Sequence, residues 1–423
     1  MIQDATRTDA FARALLRSMF DAAIASADPA KVLARHLPEP PKGRCVVVGA
    51  GKAAGAMALA VEAAWPHVSL EGVVVAPYGY GAETKRIVVR EAAHPVPDEN
   101  SQTAARLILK AVSNLTPDDL VLALMSGGGS SVLALPADGL TLEDKQLTNR
   151  ALLNSGLDIR TMNAVRRRLS AIKGGKLAEA AQPARMVTLA ISDIPGDDPG
   201  AIASGPTVPD ADAFTDLSPI VDRLEGKLPR AVVDRLREPG GPRSQAPIDF
   251  RMIAAPAAAL DAAAAVALAA DVDVEILGDD IEGESATVGA SMAAYANGPR
   301  VRPKVYISGG ETTVTILDGR AGRGGRNTEF LLALGKALDG DMGVWALAGD
   351  TDGEDGASGG AAGAVLAPDT LDRGRKAGLD AAASLAEHDS GGYFDALGDL
   401  IRTGPTLTNV NDFRALLVLP TNG

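Results

Sequence analysis

Glycines crowd the ends of short runs of Val, Ile and Leu in this 423-residue chain, and that placement constrains the fold more than any other feature. Gly49 and Gly51 follow Cys45–Val48, Gly127 to Gly129 follow Leu120–Met125, Gly309-Gly310 follow Lys304–Ser308, and Gly349 follows Trp345–Ala348. Apolar runs of this length suit strands buried on both faces, which require a covered and mainly parallel sheet. Runs at Val73–Ala76, Ile87–Val89 and Met186–Ile191 fit the same pattern. Helices are predicted between them at Ala53–Trp65, Ser101–Val112, Leu142–Asn154 and Asn163–Ala181, the third opened by a capping box at Thr141–Asp144. Bare backbone beyond a strand's carboxyl end lets N–H groups approach an anion. Several such loops point to a polyanionic ligand.

The Pro/Gly-rich stretch Glu238–Pro247 reads as a linker. A second set of elements follows it: strand Arg251–Ala254, an Ala-rich helix, strand Val272–Leu277 and a helix near Glu284–Ala296. Strands Lys304–Ser308 and Thr312–Leu317 then read as a hairpin turned by Gly309-Gly310, with Trp345–Ala348 and Leu416–Leu419 completing the set. The expectation is an α/β fold in two domains. Residues 1–240 form a Rossmann-like, mainly parallel sheet with helices on both faces, and residues 248–423 form an α/β domain with a mixed sheet.

Composition narrows the function classes. A net charge of −13 and 3% aromatics disfavour nucleic-acid binding, which needs a basic face or stacking rings. The single cysteine, Cys45, excludes an internal disulfide framework and a cysteine zinc site, and four histidines disfavour a His-rich metal site. Asp4, Arg7, Asp9, Arg13 and Arg17 interrupt the apolar run a signal peptide needs, and Met252–Ala270 is too weakly apolar to span a bilayer. The expected location is cytoplasmic, with a small-molecule substrate and no nucleic-acid or membrane partner. A homodimer is compatible with the sequence.

The loops carry the chemistry. Gly49-Ala50-Gly51-Lys52 begins a relaxed dinucleotide fingerprint, but the predicted second strand ends at Ala76-Pro77 without the acid that would hold a ribose. Lys52 instead places a cation in the mouth of the loop. Ser126, Gly127, Gly128, Gly129 and Ser130 form a candidate anion nest, and Val132 stands where a hydrolase nucleophile elbow needs glycine. No Walker A sequence occurs, since Gly174-Gly175-Lys176 is followed by Leu177. Helical spacing predicts Arg166, Ser170 and Lys173 on one face of the Asn163–Ala181 helix. Asp193, after a strand, suits Mg²⁺ ligation or acceptance of a substrate proton. Later in the chain, Gly324, Gly325, Arg326 and Asn327 open a helix where an Arg can clamp phosphate. Asp350 and Asp352 sit in a four-carboxylate loop suited to Mg²⁺ shared with phosphates, and Asn409 and Asn411 lie in a polar loop before the last strand.

Taken together, GAGKAAGAM (Gly49–Met57), HPVPDENS (His94–Ser101), SGGGSS, MNAVRRRLSAIKGGKLA, SDIPGDDPGAIASGPTVPD (Ser192–Asp210), SGGETTVTI, GRGGRNTEF, AGDTDGEDG and the GPTLTNVND loop resemble, in order, the glycerate 2-kinase family. Its C-terminal half is called the MOFRL domain, and some members carry the label hydroxypyruvate reductase. The resemblance implies phosphorylation of D-glycerate to 2-phosphoglycerate by ATP with Mg²⁺, in a cleft between the domains. It implies that Lys52 and Arg326 stabilise the transferred phosphoryl group and that Asp193 is general base or metal ligand. Asp350 and Asp352 become candidate metal ligands, and Gly49, Gly51, Ser126–Ser130, Arg166, Lys173, Gly324, Gly325, Asn327, Asn409 and Asn411 candidate substrate or nucleotide contacts. Leu407 departs from the family pattern, which has glycine there, and Ala255-Pro256 replaces an expected Asn-containing turn. Two other readings compete: an NAD(P)H-dependent hydroxypyruvate reductase, and a non-catalytic sensor that keeps the anion loops but does not need Asp193 or Asp350–Asp355.

Overall fold

The computed structural model describes residues 2–298, 300–316 and 322–420. Two compact units make up the chain: Pro29–Ile253, and a discontinuous unit of Met1–Asp28 with Ala254–Gly423.

In the first unit, β1 (Cys45–Ala50), β2 (Leu70–Pro77), β3 (Val88–Ala92), β4 (Leu120–Met125), β5 (Arg185–Ile191) and β6 (Phe250–Ala254) form one sheet in the order β3-β2-β1-β4-β5-β6. The pairings from β3 through β5 are parallel. Every residue of β1 and β4 is buried, because helices cover both faces. Val46, Val48, Val121 and Ala123 share a core with Ala104, Ala105 and Ile108 of the helix Glu99–Ala111. The strand order reverses direction between β1 and β4. Their carboxyl ends therefore flank the topological switch point, where open α/β sheets bind ligands.

Two expectations about this unit are corrected. The strand expected at Arg251–Ala254 in the second domain is β6, an edge strand of the first sheet; Thr188 N–H donates to Asp249 O just before it (2.8 Å). The helix expected over Asn163–Ala181 is two helices, Ile159–Arg168 and Lys176–Ala180. Between them Ser170 bridges to Pro136, and Gly174 and Gly175 take left-handed φ of 65° and 84°. Arg166 and Lys173 thus do not share a helix face.

The second unit holds β7 (Asp273–Gly278), β8 (Gly283–Glu284), β9 (Lys304–Ser308), β10 (Thr312–Thr313), β11 (Val344–Asp350), β12 (Gly363–Leu366), β13 (Leu400–Ile401) and β14 (Asp412–Val418). Its mixed sheet runs β13-β12-β11-β14-β9-β7, with β7 and β9 the parallel pair. The expected hairpin at Gly309-Gly310 does not form, because β9 already has β14 and β7 as neighbours and β10 pairs with β8. A Cβ on Gly310 would lie 2.2 Å from Ile281 N, so the glycine lets the chain pass close to that backbone. Of the strand expected over Thr312–Leu317, Thr312–Thr313 is extended, and Leu317 lies outside the described residues.

The helix Ile2–Ser26 was not among the predicted elements. Ala12, Leu15, Leu16, Met19, Phe20 and Ala23 repeat at helical spacing and are buried. The helix packs against Pro256–Ala269, whose Ala259, Ala263 and Ala267 present little bulk. Phe20 lies 5.9 Å from Phe413, and Trp345 Nε1 donates to Asp9 Oδ1 (2.9 Å). These contacts place the first 28 residues with the second unit, so the compact units differ from the 1–240 and 248–423 spans expected. The Ala255-Pro256 departure is a helix start: Pro256 occupies the first helical position, where its missing N–H costs nothing.

Candidate functional site

The switch point of the first sheet gathers most of the residues predicted there. Beyond β1, Gly51 takes φ 127°, and a Cβ on it would lie 2.3 Å from Ser126 Oγ. Lys52 N–H donates to Gly127 O (2.8 Å) and Ala53 N–H to Ser126 Oγ (3.0 Å), which splices the β1 and β4 loops. The bare Cα of Gly128 faces both Lys52 and His94: a Cβ there would be 3.4 Å from Lys52 Cγ and 3.4 Å from His94 Cε1. Asp193 lies against Gly127, since a Cβ on Gly127 would be 1.6 Å from Asp193 Oδ2. A lysine, a histidine and a carboxylate thus converge on the glycine run.

His94 was not assigned a role from the sequence, although its HPVPDENS stretch was noted there. Its Nδ1 lies 2.6 Å from Ser131 Oγ. Burial, with Lys52 adding repulsion, pushes its pKa down to about 4, so it is neutral at pH 7. The other serine of the short helix Gly129–Val132 faces elsewhere: Ser130 Oγ is hydrogen-bonded to Ser204 Oγ and accepts from Lys173 Nζ (2.9 Å). Ala203 and Ser204 hold left-handed φ of 52° and 61°, strain of a kind that clusters at binding sites. Arg166 is held by Asn149 Oδ1 (3.0 and 2.7 Å) and by Asn163 Oδ1 (3.1 Å). The Cys45 thiol is buried in β1 and pushed up to about 12, which makes it unreactive.

Gly49 is part of β1 rather than of the loop, packed so closely that a Cβ would lie 2.4 Å from Leu124 O. No acidic residue ends β2, whose last residues are Ala76-Pro77. The nearby Glu91 Oε1 accepts from Gly79 N–H (2.8 Å) and Gly81 N–H (3.2 Å), so this oxygen is already engaged by backbone.

A second polar cluster lies in the other unit, around the helix Arg326–Leu338. Arg326 is pinned by three carboxylates: Asp412 (2.9 Å), Asp350 (2.9 Å) and Glu311. Burial opposes its charge, but these three acids outweigh that and raise its pKa. Asp355 accepts from the N–H groups of Asn327 and Thr328, both 2.9 Å, and so closes the start of that helix after the Gly324-Gly325 turn. Burial raises Asp355 to about 6 and also raises Asp412, despite Arg326 and the buried Arg414. Asn327 Nδ2 donates to Asp412 Oδ1 (2.8 Å). Asn409 and Asn411 are buried, and Asn409 Oδ1 accepts from Asn411 N–H (3.0 Å), shaping the loop before β14.

The expected metal ligands do not form a cage. Among the described residues no group of three or more His, Cys, Asp or Glu converges as a metal site. Asp350 Oδ2 binds Arg326, Asp352 Oδ1 accepts from Glu354 N–H (2.9 Å), and Asp355 caps its helix. Mg²⁺ is commonly held by one or two carboxylates together with substrate phosphates, and Asp193 beside the glycine run fits that mode.

Comparison with known proteins agrees with the fold. Residues 15–237 match a domain of unknown function, DUF4147, and residues 304–412 match the MOFRL family. A relative from Agrobacterium vitis, provisionally named a hydroxypyruvate reductase, is 54% identical over 98% of this chain and 96% of its own. The glycerate 2-kinase of Pyrococcus horikoshii is 38% identical over 90% of this chain and 89% of its own. The crystal structure of glycerate kinase from Thermotoga maritima matches with a TM-score of 0.86 and 33% identity, covering 96% of this chain and 99% of that one. No described helix is long and apolar enough to cross a membrane. With its two-unit α/β fold, its mixed second sheet and these matches over most of its length, the chain belongs to the MOFRL-type glycerate kinase family.

Proposed function

We propose that this protein is an ATP-dependent kinase that phosphorylates D-glycerate on its 2-hydroxyl. The observation that carries the reading is the convergence of Lys52, neutral His94 and Asp193 on the bare backbone of Gly127 and Gly128 at the switch point. Phosphoryl transfer asks a protein mainly for positioning and charge neutralisation. Lys52 and the glycine backbone bind the γ-phosphoryl oxygens, and His94 adds a neutral hydrogen-bonding group. Asp193 accepts the proton as the glycerate hydroxyl oxygen forms its bond to phosphorus and the bond to the departing ADP oxygen breaks. Mg²⁺ would supply further neutralisation when bound, and Asp193 is the carboxylate beside the glycine run that would help the phosphates hold it.

Arg326, in the other unit, is a separate candidate for binding a phosphate. Its three acids differ: the side chains of Asp412 and Asp350 are 0% and 7% exposed, whereas that of Glu311 is 51% exposed. Glu311 is the partner an incoming phosphate can displace.

The reductase reading draws on the name of the Agrobacterium vitis relative. The missing acid at the end of β2 counts against it. Purified protein given D-glycerate, ATP and Mg²⁺ is expected to release ADP, and given hydroxypyruvate with NADH or NADPH to leave the cofactor unoxidised. The reverse result overturns the kinase. Lys52→Ala and Asp193→Asn are expected to lower kcat by roughly 10²–10³-fold with circular dichroism unchanged. Wild-type rates would remove both residues from the mechanism.

A further inference from the structure

Three cations of the Pro29–Ile253 unit gather behind Ser130 with no carboxylate among their hydrogen-bond partners. Lys173, 3% exposed, donates to Ser130 O (2.5 Å) and Ser130 Oγ (2.9 Å). Lys145 reaches from the helix Leu142–Leu153 to Leu169 O (3.3 Å). Arg166 is oriented by Asn149 and Asn163. Their neighbour Arg167, more deeply buried than Lys145 or Arg166, is paired with Asp210 (2.7 Å) and Asp212 (2.6 Å). Lys176, beside them, likewise donates only to backbone, to Arg167 O (3.0 Å) and Ser170 O, so the cluster as a whole has no acidic hydrogen-bond partner among the described residues.

The consequence is mutual repulsion. Burial depresses Lys173 well below the usual lysine range, with Lys145 and Arg166 adding to it. Lys145 is pushed down to about 7 by burial, with Lys176 and Arg166 adding to it. Facing this group are Arg166 from the helix Ile159–Arg168, Lys173 from the following loop, and Lys176 from Lys176–Ala180. Asp210 and Arg235 act on Lys176. Keeping such groups charged away from water costs free energy, and a bound anion would offset that cost and draw the lysines to their protonated forms.

The short helix Gly129–Val132 separates two polar faces, Ser131 toward His94 and Ser130 toward Lys173. A kinase acting on a hydroxy acid holds two anions: the phosphoryl group and the carboxylate of its acceptor. The His94 face has the open glycine backbone that suits phosphate. The Ser130 face offers side-chain cations. We propose that Lys145, Arg166 and Lys173 form the receptor for the acceptor's carboxylate, and that Lys145 sets the preference for a hydroxy acid over a neutral polyol. This rests on the kinase reading above.

Steady-state kinetics of the full chain, followed by ADP release, tests it. Lys145→Ala is expected to raise the KM for D-glycerate about tenfold or more, with kcat and the KM for ATP changed less than about threefold. It should also narrow the discrimination between D-glycerate and glycerol, and Lys145→Arg should restore both. Wild-type KM for glycerate should climb above about pH 7, as Lys145 loses its proton, and stay level there in Lys145→Arg. Lys145 makes one long hydrogen bond, to backbone, so Lys145→Ala leaves no buried carboxylate unpaired and is expected to fold, which circular dichroism checks, even if Lys173 variants do not. An unaltered glycerate KM, or a rise confined to ATP, overturns the receptor and leaves the kinase standing. If the wild type does not turn over D-glycerate, the kinase reading falls. Titration calorimetry with D-glycerate then decides the receptor: binding lost in Lys145→Ala supports it, and no binding to the wild type overturns it.

Discussion

Asp355 shows how a single residue can be read for chemistry and turn out to hold structure. It sits in an acidic loop that suggests a metal, yet its oxygens take the N–H groups of Asn327 and Thr328. Asp355→Ala leaves two buried donors unpaired and is expected to destabilise by about 2–4 kcal/mol in denaturant unfolding. Because the folded pKa, about 6, lies above the ordinary 3.8, the folded state binds this proton more tightly than the unfolded state. The contribution to stability is therefore full below about pH 4 and is lost as pH rises through 6. Asp355→Asn should remove that limb from a stability–pH curve. Leu407 holds φ 59°, a conformation that favours the glycine its family pattern carries. Leu407→Gly is expected to be neutral or to stabilise by up to about 1 kcal/mol, and a clear drop in Tm would contradict the account. Lys52 and Asp193 were legible because each adjoins a strand end. Lys145 was not, since a lysine on an amphipathic helix reads as solvent-facing until segments about 20 residues away fold onto it.

Elements were legible where burial is two-sided. β1 and β4 show unbroken apolar runs because both faces are covered, and their positions agree with expectation. β6 was assigned to the wrong sheet because strand pattern carries no information about partner, and it follows an irregular linker. The Asn163–Ala181 segment has helical composition on either side of Gly174-Gly175, and that left-handed pair together with the Ser170–Pro136 bridge divides it. The strand–loop junctions are tight enough to make a prediction of their own. Gly127→Ala must displace Asp193 Oδ2, with which the new methyl would overlap. The expected outcome is a loss of roughly 10²-fold in kcat with the secondary structure retained. Full activity would place Asp193 outside the reaction.

For the whole molecule, no local pattern signals that the chain returns to complete its second unit. Leu16, Met19 and Phe20 are fully buried there, 230 residues or more before the rest of that unit begins at Ala254. Burial of each contributes about 1.5–3 kcal/mol, so together they rival the net stability of a domain. Deleting residues 1–28 is expected to yield aggregated protein, as judged by size-exclusion chromatography, while a monodisperse, cooperatively unfolding product would contradict the packing described. The order of β13-β12-β11-β14-β9-β7 has a consequence for synthesis. β14 is translated after every other strand described, yet it lies in the interior of the sheet between β11 and β9. On the ribosome, at roughly 5–20 residues per second, the opening helix waits tens of seconds for its partners, and β9 and β11 cannot join until β14 emerges between them. A polypeptide cut short before Asp412 has a split sheet with two raw edges, which exposes it to proteolysis before it can reach solution as a soluble impostor.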